Sequence, residues 1–319
     1  MGVIDAIAEG YFAVARRPVV LAPVVLLDLL FWPGGRVTPA PFTDAFARLL
    51  ERAQRQTPTG SDPAVAASIA SLRSSGGDGD LLELLTLGQH PLLTQLDPAR
   101  VARPWGTGVV DPGHWALVVL LAVAFGLLGL LWLSLTLTLL ATLVRGEPFV
   151  ARALASALLR CWLRLLGFGA IVAGGFLLLA LPLLILSGVL ILLNLDPAVL
   201  VTILLLPLLV VYIHLALAPE AIAVSEVGPF QAMRLSIRVV RRNFWPTLGL
   251  LAATLLLVTG FPRALGLLAR EAVGVPLAIA GNGLIGLGMA AAAMFFYRER
   301  LAAAENAKEP AKLAARRTR

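Results

Sequence analysis

The chain has 319 residues, 59% of them hydrophobic and 14% charged, with a mean hydropathy of +0.87. Such a balance excludes an ordinary soluble domain and makes lipid the solvent for most of the chain. Its formal charge of +7 comes from 26 basic residues against 19 acidic ones, and the basic residues gather beside apolar runs, a pattern that reads as membrane orientation and not as a nucleic-acid surface.

The N-terminal stretch predicts a short amphipathic helix, with Asp5, Glu9 and Arg16 opposed to Ile4, Ile7, Tyr11 and Val14. Arg16 and Arg17 then precede a first apolar run, Pro18 to Trp32. Acidic residues in the leading segment, and Pro41 directly after the only small-residue cleavage candidate at Pro39-Ala40, predict an uncleaved anchor and not a signal peptide. The flanks of Arg16-Arg17 do not match a twin-arginine export signal. Asp28 is the only carboxylate well inside an apolar run, which makes it a candidate ion or proton site, although its place near the outer end of the run also gives it access to interfacial water.

Residues 33–114 form an insertion in which seven arginines face eight acidic residues, so it exerts no net basic pull on orientation. Pro41 to Gln56 and Pro63 to Arg73 have helical apolar spacing, Ser74 to Gly79 reads as a flexible break, and Leu81 to Leu96 is leucine-rich. A small helical cap on the outer membrane face is expected. The second span is predicted over Trp115 to Val144.

Gly146-Glu147-Pro148-Phe149 then leads through Arg160 to Trp162, and this wording returns as Val227-Gly228-Pro229-Phe230 leading through Arg241 to Phe244-Trp245. In Glu147 to Leu165 the residues Arg152, Ser156, Arg160 and Arg164 fall four apart on one stripe, away from Phe149, Leu154, Leu158 and Trp162. From Phe230 to Asn243 the residues Gln231, Arg234, Arg238, Arg241 and Arg242 are set against Phe230, Met233, Ile237, Val240 and Phe244. Both segments suit a helix lying in the membrane interface, and Arg152, Arg160, Arg164, Arg234, Arg238, Arg241 and Arg242 are the candidate contacts for anionic lipid. Glu220 and Glu226 are expected to pair with Arg234, Arg238 or Arg241.

Between and after the two copies, spans are predicted over Leu165 to Leu193, Ala198 to Ala218, Thr247 to Phe261 and Pro276 to Tyr297, with a turn at Asn194 to Pro197. His214 and Glu220, about a turn and a half apart on a helix, are a candidate intramembrane polar pair. Gly281, Gly283, Gly286 and Gly288 match a dinucleotide fingerprint in letters, but they lie in an uncharged apolar run with no strand before them, so close helix contact is the expected use, as for Gly167, Gly169, Gly174 and Gly175. Asn282 and Asn243 are expected to make interhelical or capping bonds.

The reading is therefore an all-α polytopic membrane protein with about six transmembrane helices and interfacial amphipathic helices. It forms one transmembrane domain over 1–300 in three repeated units (1–144, 145–225 and 226–300), followed by a basic tail, 301–319, that reads as a solvated end. The positive-inside bias places both termini in the cytoplasm of a bacterial cell, with the protein in its inner (plasma) membrane and 33–114 outside.

Pro219-Glu220, Glu226, Ala232, Ser236, Asn243-Phe244-Trp245 and Leu248-Gly249 form a pattern: a span ending in proline, an acidic residue, an amphipathic helix with Ala and Ser, then Asn and an aromatic pair opening the next span. It resembles the membrane domain that precedes some glycerophosphoryl diester phosphodiesterases, and related stand-alone membrane proteins. The resemblance implies a helical membrane fold with inserted interfacial helices and brings no catalytic residue, because the phosphodiesterase barrel and its metal-binding clusters are absent from the chain.

His90, His114 and His214 are scattered, Cys161 stands alone, and no nucleophile lies beside a base, so no catalytic, cofactor or metal site is expected. The expected activity is non-enzymatic, an accessory or scaffold role through contacts with anionic lipid or a protein partner and without nucleic acid. The alternative is a transporter or channel for a small solute, ion or lipid that uses the repeat interface, with Asp28, His214 and Glu220 on the path.

Overall fold

Long runs free of charge leave each backbone amide no partner but its own chain, and the apolar runs accordingly close their hydrogen bonds within α-helices. The computed structural model describes residues 2–32, 35–56, 63–87, 89, 91–96, 108–192 and 197–306. Among these the α-helices are α1 (Val3–Arg16), α2 (Ala22–Phe31), α3 (Ala40–Arg55), α4 (Pro63–Asp78), α5 (Leu92–Gln95), α6 (Trp115–Arg145), α7 (Ala151–Leu192), α8 (Pro197–Leu215), α9 (Ala218–Val224), α10 (Pro229–Arg242), α11 (Phe244–Leu268) and α12 (Gly274–Asn306). Short 3-10 segments cover Pro18–Leu21 and Leu81–Thr86, and two short strands, β1 (Arg36–Val37) and β2 (Val109–Val110), pair in parallel. The turn expected across 193–196, His90 and the tail beyond Asn306 lie outside the described residues.

Among the described residues five stretches are long and apolar enough to cross a membrane: Trp115–Arg145, Ala151–Leu179, Leu206–Val224, Phe244–Leu268 and Gly274–Ala304. The first expected span is shorter, an apolar stretch over Pro18–Phe31. One 3-10 turn and a ten-residue helix reach about 23 Å, against about 30 Å for a hydrocarbon core. Of the most apolar window in Gly274–Ala304, 56% is buried inside the chain, against 6% in Ala151–Leu179. α12 is therefore packed on several sides, and α7 leaves Leu159, Leu163 and the run Phe176 to Leu179 exposed.

The three amphipathic helices are not alike. α1 ends at Arg16 and α10 ends at Arg242, each followed by a break before the next helix. The second is no separate element: α7 runs 42 residues from Ala151 through the expected span. Proline explains the difference. Pro18 turns Arg17 out of helical geometry, and Pro246, with no N–H to give and a ring that crowds the carbonyl four residues back, interrupts the ladder at Arg242, whereas Leu165-Leu166-Gly167 supplies no such stop.

The chain divides into two compact units, with the division falling inside α6, α11 and α12. In the unit of residues 1–21, 134–258 and 284–319, α1 packs on α12 backbone to backbone: a Cβ on Gly10 would sit 2.4 Å from the Gly288 carbonyl oxygen. Gly288 in turn lies under the Tyr11 ring, whose hydroxyl burial holds its pKa above the usual phenol range. Here the small residues serve close approach as expected, and Gly167 meets Pro229 of α10. Gly169, Gly174 and Gly175 do not, since a Cβ on any of them would meet nothing within 4 Å.

In the unit of residues 22–133 and 259–283, the core joins Leu27 and Phe31 of α2 to Leu92 and Leu93 of α5 and to Val275, Ala278 and Ile279 of α12. The leucine-rich part of the insertion is thus built into the apolar core beside α2 and α12. Trp132 of α6 donates its indole N–H to the Pro23 carbonyl in the first turn of α2, at 3.0 Å. The expected break at Ser74 to Gly79 is instead helical through Asp78. Ser74 and Ser75 turn their hydroxyls back to the Ser71 carbonyl, and Gly76 lies against α3, where a Cβ would come within 1.8 Å of the Thr43 hydroxyl oxygen. Glycine there permits contact between two helices and is no hinge.

Candidate functional site

α10 carries four arginines and no acidic residue, and its seating decides which way they face. Ala232, Ser236, Val239 and Val240 are buried. Ser236 donates to the His214 carbonyl at 2.7 Å and accepts the Leu217 N–H at 3.2 Å. Those two backbone groups are freed where α8 stops and α9 starts, ahead of Pro219, so one hydroxyl closes the break and fixes α10 against it. Asn243 closes the far end: its amide and side chain both return to the Val239 carbonyl, and its own carbonyl accepts from Thr247.

With that face fixed, the helix buries part of the apolar side that was expected to meet the membrane. Val240, placed with the apolar contacts of the membrane in the sequence reading, packs inside the protein. Phe230 at the start of α10, and Phe244 and Trp245 at the head of α11, are exposed apolar side chains, with Trp245 76% exposed. Arg234, Arg238, Arg241 and Arg242 form an exposed basic flank, and none has an ion pair or hydrogen bond among the described residues. Exposed aromatic side chains thus stand at both ends of a row of guanidinium groups that have no carboxylate partner among the described residues.

The arginines of α7 divide. Arg152 and Arg164 have no partner among the described residues, whereas Arg160 lies 3.7 Å from Glu226. Glu226 stands in the turn between α9 and α10 with a left-handed φ of 49°, and its second neighbour is Arg145 at 3.6 Å. This corrects the expected pairing of Glu226 with the arginines of α10: the turn aims the carboxylate at α6 and α7 instead. At these exposures the Arg160 pair contributes about 0–1 kcal/mol.

Two arginines that the sequence reading used only to fix orientation cap helix ends. Arg145 bonds Glu147 at 2.9 Å and the Ala223 carbonyl of α9 at 3.0 Å, and Arg298 donates to the Val144 carbonyl of α6. Carbonyls at a helix C-terminus carry partial negative charge, so cations are stabilising there. The same two residues border a cavity of about 390 Å³, with Glu147, Ser225 and Tyr297 on its wall and the two hydroxyls bonded at 2.9 Å. The sequence signal for this arrangement was slight: each arginine is simply the first charge after an apolar run.

The three polar candidates divide between the two compact units, Asp28 in one and His214 and Glu220 in the other. Asp28 is fully buried and accepts the backbone N–H groups of Leu92 at 3.0 Å and Leu93 at 3.1 Å, with the Asn282 side chain also bonded to it. It thereby caps the first turn of α5, and the interfacial water allowed for in the sequence reading does not reach it. Neither Leu92 nor Asn282 was linked to it in the sequence. His214 gives its Nδ1 to the Val210 carbonyl of its own helix at 2.7 Å. It makes no bond to Glu220 among the described residues, so the expected pair does not form. Glu220 lies in the first turn of α9 with Oε2 buried and no hydrogen-bond partner among the described residues.

Among the described residues no three His, Cys, Asp or Glu side chains are grouped to hold a metal ion. Comparison with curated proteins and with solved structures finds no match. A family profile described as "Domain of unknown function (DUF7847)" matches residues 1–300. That span takes in every helix from α1 to α11 and most of α12, and the chain belongs to this family.

Proposed function

We propose that the chain is a non-enzymatic integral protein of a bacterial inner (plasma) membrane that engages anionic lipid through its basic interfacial helices. In this reading it has three repeated units, six crossings and cytoplasmic termini. The observation that carries it is the unpaired basic flank of α10, Arg234, Arg238, Arg241 and Arg242, beside exposed Phe230, Phe244 and Trp245. Cations left without carboxylate partners find them in phosphate headgroups, each at about 1 kcal/mol near a charged surface. An accessory or scaffold role, holding a protein partner at that surface, follows the same chemistry.

Ala232, Ser236, Asn243 and Phe244, which carry the resemblance to the phosphodiesterase-associated membrane domains, seat α10 and join it to α11. The likeness therefore supports a shared way of holding a helix and no shared reaction. The test is anionic lipid retained by the protein in mixed bilayers, counted by native mass spectrometry. Replacing Arg238, Arg241 and Arg242 with alanine removes about 3 kcal/mol of attraction, about a hundredfold in apparent affinity for phosphatidylglycerol over phosphatidylcholine. Unchanged retention sinks the proposal.

Transport through the repeat interface is the second reading, and the buried, unpartnered oxygen of Glu220 is what favours it. Such a group is costly in apolar surroundings unless a passing ion or proton uses it. Glu220→Gln then abolishes a liposome ion or proton flux that the unaltered protein supports. A flux that survives the substitution removes Glu220 from any path.

A further inference from the structure

We propose that α3 lies on the outer leaflet of the membrane, seated by the stripe Phe42, Phe46 and Leu49. Two sides of α3 are accounted for within the protein. Ala47 is fully buried, Thr43 touches Gly76 of α4, and Arg73 of α4 reaches Glu51 at 2.9 Å and Asp44 at 3.8 Å. On the remaining side Phe42, Phe46 and Leu49 repeat at i, i+4 and i+7 and are 43%, 46% and 59% exposed. Arg48, Arg52 and Arg55 run alongside them, exposed and without partners among the described residues. Large apolar side chains on one edge and arginines on the next make an interfacial helix, as on α10.

The chain holds α3 at the depth where that surface lies. β1 follows α2 after a few residues, β2 precedes α6 by a few, and their pairing is continued by the Thr38 N–H to the Val110 carbonyl at 3.1 Å. α3 begins two residues after Thr38, so its first turn is tied to the ends of two apolar helices, where a bilayer's interface would be. Trp115, half exposed at the head of α6, and exposed Val109 and Val110 extend the apolar surface beside the tie. The occupant that fits is therefore lipid, continuous with the lipid around α6. This inference rests on α2 and α6 crossing the membrane and is independent of the lipid contacts of α10.

The test places nitroxide labels, one at a time, at Phe42→Cys, Phe46→Cys and Leu49→Cys, and for comparison at Arg48→Cys and Arg55→Cys, in a Cys161→Ser background of the full chain. The protein is reconstituted in phosphatidylethanolamine/phosphatidylglycerol vesicles. Expected is high accessibility to oxygen and lost accessibility to a water-soluble nickel chelate at 42, 46 and 49, with the reverse at 48 and 55. Nickel access at all five positions overturns the proposal, since the stripe then faces water. Protection from both reagents at 42, 46 and 49 also overturns it, because the occupant is then protein, either a second copy or a partner. A label at Arg238→Cys reads the α10 surface separately, so failure of one membrane contact is not mistaken for failure of the other.

Discussion

Asp28 illustrates how a carboxylate is kept inside an apolar core. Two backbone N–H groups at the start of α5 and the Asn282 side chain replace its water, so the charge serves as a cap across two chain segments more than sixty residues apart in sequence. Asn at this position offers one acceptor and turns an N–H₂ donor toward donors. Asp28→Asn therefore costs about 1.5–3 kcal/mol, the value of charged hydrogen bonds, and is read as a fall in thermal midpoint in nanodiscs. If Asp28 were instead an ion or proton site, the midpoint would hold and only a flux would change. Ser236 works in the same manner with no charge, one hydroxyl serving both a donor and an acceptor at the α8 and α9 break.

Helix contacts follow from glycine placement as much as from leucine content. Gly10 lets α1 rest on the backbone of α12, so Gly10→Ile should detach α1 and leave the long apolar helices in place. Faster proteolysis near Arg16 and Arg17, with no loss of total helix by circular dichroism, is the expected record. Rapid cleavage absent from the variant would mean that α1 is held elsewhere. The helical state of the apolar runs and the two insertion helices were legible because apolar period and charge spacing are local properties. Contacts were not: nothing near Asp28 in sequence names Leu92, and the glycines of Ser74 to Gly79 read as a break because Thr43, which needs the room, stands on another helix. The unbroken run of α7 was legible in principle, from the proline missing at its junction.

For the whole molecule, parity is the deciding quantity. Five crossings put the termini on opposite faces of the membrane, and six put them on one. The short stretch Pro18–Phe31 therefore decides the topology, although it is the least certain to span by length. It carries polar Asp28 at a depth where α5 and α12 cover it, which makes a short crossing tolerable by shielding it from lipid. Reporter fusions at the two ends should both be active on the cytoplasmic side, and a cysteine at position 48 should be labelled only from outside. Opposite placement of the termini would reduce the crossings to five and move α1 and its arginines across the membrane.

The parallel pairing of β1 with β2 draws the two ends of the insertion together, the geometry of a module that a lineage could gain or shed without disturbing its neighbours. Asp28 denies it that freedom. A shortened chain lacking α5 would leave Asp28 only the Asn282 side chain in place of two backbone amides, so loss of the insertion and replacement of Asp28 are coupled events. The insertion is separable by connectivity and inseparable by electrostatics, and a descendant carrying one change must carry the other.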